Sequence, residues 1–99
     1  MQLIQYTTKS GQAAENRARI EAVFSALREA RLADFSYMVV EAGEGEFFHI
    51  VETTPAALDT FRTLPAFRDF STTVGDRQVA PSNKRDARVV GSYGRLTQE

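Results

Sequence analysis

Six patterned segments follow one another along this chain with hardly a residue between them. An alternating strand pattern is succeeded by a helical one, then two strand patterns, a second helical pattern and a last strand pattern, all within 99 residues. A chain of this length is the usual size of one domain, and no repeat, low-complexity tract or linker divides it, so residues 1–99 are read as a single unit. The order β-α-β-β-α-β then leaves few ways to arrange the pieces, because crossovers between strands of one sheet are right-handed and connections stay short.

Residues 2–8 alternate with Ile4 and Tyr6 on one face, and Lys9-Ser10-Gly11 ends the pattern. From Ala13 to about Arg31 the apolar residues Ile20, Val23, Phe24 and Leu27 recur at steps of three and four, which predicts a helix with one stripe facing a core. Residues 34–41 and 46–52 read as strands joined by Gly43-Glu44-Gly45, whose glycines supply the positive φ of a tight hairpin. Thr54-Pro55 reads as a helix start, since threonine caps free amides and proline suits the first helical position. Pro65 interrupts the stripe of Leu58, Phe61 and Leu64, and Phe67, Phe70 and Val74 resume it, which predicts a bent or two-part helix ending near Gly75. Residues 76–84 read as a loop, residues 88–93 as the last strand, and residues 97–99 as a fraying end.

The expected architecture is therefore α+β: a ferredoxin-like βαββαβ domain, a four-stranded antiparallel sheet with helices on one face. Helices cover one side only, yet both faces of the central hairpin are apolar. Phe35, Tyr37 and Val39 alternate with Met38 and Val40, and Phe47, His49 and Val51 alternate with Phe48 and Ile50. A sheet with one wet face shows a cleaner alternation. Burial against an identical sheet resolves the conflict, so a homodimer through sheet faces is expected. The competing cover is the loop 76–84, which offers only Val79, Ala80 and Pro81.

Composition narrows the function. Hydrophobic content of 42% and charged content of 25% are those of an ordinary globular chain. A net charge of −1, spread over twelve basic and thirteen acidic side chains, sets up no field for nucleic acid or anionic lipid, and the densest basic stretch, Lys84-Arg85-Asp86-Ala87-Arg88, reads as solvated. No apolar run is long enough to cross a bilayer. The absence of cysteine excludes disulfides, thiolate catalysis and cysteine-based zinc sites, and with no signal-peptide pattern at the start the expected location is cytoplasmic. With one histidine and no carboxylate cluster at recognisable spacing, no metal site is expected.

Phe47-Phe48-His49-Ile50-Val51, Leu64-Pro65-Ala66-Phe67-Arg68-Asp69-Phe70 and Val89-Val90-Gly91-Ser92-Tyr93 together give the chain, over nearly its whole length, a pattern that resembles the dimeric α+β barrel superfamily and its antibiotic-biosynthesis-monooxygenase-like branch. The resemblance implies a homodimer packed sheet on sheet, with a cavity between helices and sheet in each subunit. It also implies oxidation of an electron-rich aromatic or quinol-type substrate by dioxygen with no cofactor. A related group degrades haem, but there the iron ligand sits on a helix, whereas His49 falls on a strand.

Set against that chemistry, His49 is the candidate base, because an apolar setting keeps its imidazole neutral and able to take a proton. Its competing reading is a hydrogen-bonded core or interface histidine. Tyr6, Tyr37 and Tyr93 fall on three different strands and are candidates to converge on His49, with Tyr37 orienting the substrate, against a packing role. Arg68 is the second orienting candidate, Arg62 a candidate at the cavity mouth and Asn16 a candidate donor to a substrate carbonyl; surface solvation competes for all three. The alternative function is a non-catalytic dimer that binds a small hydrophobic or aromatic ligand, or an accessory protein of a pathway.

Overall fold

The structure, a computed structural model, describes residues 1–94. Its elements are β1 (Gln2–Thr7), α1 (Ala13–Ala30), β2 (Phe35–Ala42), β3 (Glu46–Thr53), α2 (Pro55–Phe61), α3 (Pro65–Arg77) and β4 (Asn83–Asp86). The strands lie in the order β2-β3-β1-β4, antiparallel throughout. With all three helices against one face, this is the ferredoxin-like α+β arrangement. Tyr6 and Phe47 from the sheet bury against Ile20 and Val23 of α1, Phe61 of α2 and Phe70 of α3, so the core is a single layer between helices and sheet.

Local chemistry sets the helix ends. The α1 stripe buries Ile20 and Val23, and the helix closes at Arg31 with φ 50°, whose amide donates to the Leu27 carbonyl. At the next helix Thr54 accepts from the Ala57 amide at 3.2 Å while Pro55 takes the first position. Pro65 does not bend one helix but begins another, because it too needs no amide partner at a first turn. α3 then runs past Gly75 to Arg77, whose carbonyl accepts from the Lys9 amide at 2.7 Å.

The last strand departs from the expectation. Residues 83–86, Asn-Lys-Arg-Asp, pair with β1, and residues 88–93 are irregular and largely exposed. The expected loop 76–84 thus contributes two residues to α3, a bridge between Gln78 and Thr8, and two residues to β4. The reason is register. Gln2 stands opposite Asp86, and the Ala87 amide donates to the Met1 carbonyl at 2.8 Å, so β1 is exhausted before Arg88 is reached. An edge strand is held by its main chain and has no need of apolar side chains; charge there even discourages further pairing. Val89 and Val90, which signal a strand by type, have no strand beside them among the described residues. The expected fraying of residues 97–99 lies outside the described residues.

On the sheet face away from the helices, Leu3, Met38, Phe48 and Ile50 are half-buried and Val40 is exposed. Val79, from the segment weighed as a cover, is itself exposed.

Candidate functional site

Between the sheet and helices α2 and α3 lies a cleft of about 260 Å³. Its walls are largely apolar, from Val51, Leu58, Phe61, Phe67, Phe70 and Val74. The aromatic rings brace one another, Phe61 against Phe67 at 4.3 Å between centroids and Phe61 against Phe35 at 4.5 Å. Pocket volumes for drug-sized ligands begin at roughly 300 Å³, so the cleft suits a molecule of one or two rings. A shallower groove of about 380 Å³ runs between α1 and β2, past Phe24, Leu32 and Phe35, but does not include His49.

One end of the cleft is polar. His49 sits on β3 between Val39 of β2 and Ile4 of β1, on the helix side of the sheet, and is 4% exposed. Because side chains alternate along a strand, this register also brings Tyr6 and Tyr37 to the same face. The Tyr6 hydroxyl lies 2.8 Å from His49 Nε2, and the Tyr37 hydroxyl 2.6 Å from Nδ1. Asn16, fully buried in the first turn of α1, donates from Nδ2 to the Tyr6 oxygen at 2.8 Å. Arg77, 4% exposed at the end of α3, donates from Nε to Asn16 Oδ1 at 2.9 Å and from Nη1 to Thr73 Oγ1 at 2.9 Å. Its guanidinium lies 5.5 Å from the centre of the Phe70 ring.

Burial governs the charges. It lowers His49 from its usual 6.5 to about 4, so the imidazole is neutral at pH 7. It raises Tyr6 to about 12, against the opposing pull of the Asn16 hydrogen bond and the Arg77 charge, and pushes Tyr37 further above its usual 10, with the neighbouring Tyr6 adding to the effect. Burial also lowers Arg77, but guanidinium starts so high that it stays charged. The cluster is thus an uncharged imidazole held between two uncharged phenols and backed by one buried cation.

The sequence candidates divide accordingly. His49, Tyr6, Tyr37 and Asn16 come together. Asn16 does so from beneath, where it holds Tyr6 and is not among the cleft-lining residues. Arg62 lines the cleft at its exposed side, as does Lys84 of β4. Arg68 points away on the exposed face of α3, since the helical stripe that turns Phe67 and Phe70 inward turns the residue after Phe67 outward. Tyr93 is fully exposed, beyond the reach of the sheet for the register reason given above. Both His49 nitrogens are engaged by tyrosine hydroxyls, so proton exchange between the imidazole and a ligand passes through a tyrosine oxygen. Arg77 is the member of the cluster that sequence reasoning missed, although the spacing Phe70, Val74, Arg77 continues the buried stripe and marks it. Among the described residues no group of three or more His, Asp or Glu is placed to hold a metal ion, and no helix is long and apolar enough to cross a membrane.

A ferredoxin-like domain with an aromatic cleft ending in a buried His–Tyr cluster is the class that fold and site define. Solved structures of the same fold include a candidate antibiotic biosynthesis monooxygenase from Bacteroides thetaiotaomicron, at TM-score 0.76 and 11% identity over 97% of this chain and 93% of that one. Rv0793 from Mycobacterium tuberculosis matches at TM-score 0.72 and 19% identity over 93% and 96%. A structure named antibiotic biosynthesis monooxygenase matches at TM-score 0.68 and 15% identity over 91% and 97%. The chain has the fold of these antibiotic-biosynthesis-monooxygenase-like structures; at such identities the likeness is one of fold. No family model matches the sequence, and no curated protein matches it.

Proposed function

We propose that the cleft binds a small planar phenol or quinol and that the protein acts as a cofactor-independent monooxygenase on it. The observation that carries this reading is the meeting of aromatic walls with a buried phenol–imidazole pair: flat walls from Phe61, Phe67 and Phe70 suit a ring, and Tyr37 with His49 behind it suits the oxygen on that ring. An electron-rich hydroxyarene can reduce dioxygen unaided. One phenol and one dioxygen give one quinone and one water. A single oxygen atom enters the ring as the second carbonyl, while the other leaves as water with the hydroxyl hydrogen and the displaced ring hydrogen. The ring supplies all four electrons, so no reductant is consumed. The contribution of the protein is to hold the ring and to stabilise the phenolate, whose proton is released to solvent at the open side of the cleft, for which the Tyr37 hydroxyl donor is suited. His49 acts through Tyr37 in this scheme.

Oxygen uptake with a panel of hydroquinones and naphthols tests the activity. One oxygen atom of labelled dioxygen carried into each quinone formed, with no hydrogen peroxide released and the rate lowered in His49→Ala, is the expected result. Tight binding of the same compounds with no uptake would leave the non-catalytic binder, a reading favoured by the engagement of both His49 nitrogens.

The same proposal includes a homodimer through the open sheet face. Leu3, Met38, Phe48, Ile50 and Val40 form its apolar surface, and the irregular 88–93 segment, carrying Val89, Val90 and Tyr93 into solvent, is suited to cross to the second copy.

A further inference from the structure

The hydrogen bonds behind the cleft have a direction, and the direction is fixed far from the ligand. Guanidinium has donors only, so the Asn16 atom 2.9 Å from Arg77 Nε must be the carbonyl oxygen. That choice, usually ambiguous for an amide, places Nδ2 against Tyr6. The Tyr6 oxygen therefore accepts from Asn16, and among the described residues its own proton has one side-chain acceptor, His49 Nε2 at 2.8 Å. The reverse arrangement would strand the Tyr6 proton in a residue 4% exposed, at a cost of about 1–3 kcal/mol. With Nε2 accepting, the neutral imidazole carries its hydrogen on Nδ1 and donates it to the Tyr37 oxygen at 2.6 Å. Tyr37 makes no other side-chain hydrogen bond among the described residues, and it lines the cleft.

We propose that Arg77 and Asn16 polarise the chain Arg77, Asn16, Tyr6, His49, Tyr37 in one direction, so that the cleft offers a ligand the Tyr37 O–H as donor and selects rings bearing a carbonyl or phenolate oxygen. This rests on the reading of the cleft as an aromatic site and adds its selectivity. Arg77, Asn16 and Tyr6 are positioning residues, and Tyr37 is the group that touches the ligand. The histidine in this state is a donor toward the ligand side and not a proton acceptor there. A quinone or a phenolate fits; an aromatic whose only polar group is a donor does not.

Two measurements test this independently. In the free protein, nitrogen NMR of His49 reads the tautomer: hydrogen on Nδ1 is expected in the native chain, and Asn16→Asp, whose carboxylate accepts from both Arg77 and Tyr6, reverses the chain and moves the hydrogen to Nε2. Hydrogen on Nε2 in the native chain, or no change in Asn16→Asp, overturns the proposal without reference to any ligand. For selectivity, 1,4-naphthoquinone and naphthalene are titrated against the native protein and Tyr37→Phe. The variant is expected to weaken naphthoquinone about tenfold and to leave naphthalene unchanged, the size of one hydrogen bond; equal naphthoquinone affinity in both proteins overturns the selectivity. Failure of naphthalene to bind the native protein counts instead against the aromatic cleft, and the tautomer measurement still decides the polarity.

Discussion

Arg77 and Asn16, 61 residues apart, meet at 2.9 Å and tie the end of α3 to the first turn of α1 on the helix side of the sheet. Neither reaches solvent to any extent. Removing the amide leaves a buried guanidinium nitrogen and the Tyr6 oxygen each short of a partner. Asn16→Leu is therefore expected to cost about 2–5 kcal/mol, read from urea denaturation midpoints. A loss under about 1 kcal/mol would mean that water replaces the amide at both atoms.

The depressed His49 links folding to pH. Its folded value of about 4 lies below its usual 6.5, so between these values the unfolded chain holds a proton that the native one does not. The sign follows: the stabilisation is fully present above about pH 6.5 and is lost as pH falls toward 4, by about 3 kcal/mol in all. Glu41 works in the same direction at lower pH, its carboxyl held below the ordinary range by the Gly45 amide and by Arg17. Denaturation of native protein and His49→Gln at about pH 7, 6 and 5 separates the two. The variant is expected to show the flatter dependence, and equal slopes would remove His49 as the cause.

Gly45 closes the β2–β3 hairpin with φ +98°, and a Cβ there would sit 2.9 Å from the Thr8 hydroxyl oxygen. Thr8 is buried and bonds the Gly45 carbonyl from both its amide and its hydroxyl. Backbone strain and contact thus fall on the same residue. Gly45→Ala is expected to lower stability by about 2–3 kcal/mol and Gly43→Ala, at φ +59° with open space around it, by about 1 kcal/mol. Equal thermal melting shifts in the two variants would contradict this ordering.

If residues 88–93 cross to a second copy, a chain ending at Ala87 should dimerise at least tenfold more weakly than the full chain while keeping its helical circular dichroism. Sedimentation equilibrium over a range of concentrations makes the comparison. Identical dimer constants would place the association elsewhere on the surface.

Local pattern was enough for most of the architecture. The stripe of Ile20 and Val23, the Thr54-Pro55 start and the Gly43 to Gly45 hairpin each depend on neighbours a few residues away, and each is legible in one dimension. His49, Tyr6 and Tyr37 were legible as residue types, because a lone histidine in an apolar strand needs polar partners and the strand tyrosines were on offer, whereas Asn16, expected to donate to a substrate carbonyl, donates to Tyr6. Their arrangement was not. One residue of register would turn His49 to the opposite face, and register is settled by how all strands pack at once. The same holds for the last strand: Val89 and Val90 look the part, but the pairing of Gln2 with Asp86 gives that place to Asn83 through Asp86. It holds for Arg77 as well, a surface residue by type that the close approach of α1 and α3 enclosed. Spacing along the chain dictates helices and strands because their signals are local; which side chains meet depends on long-range packing, where strand register and helix approach are chosen together.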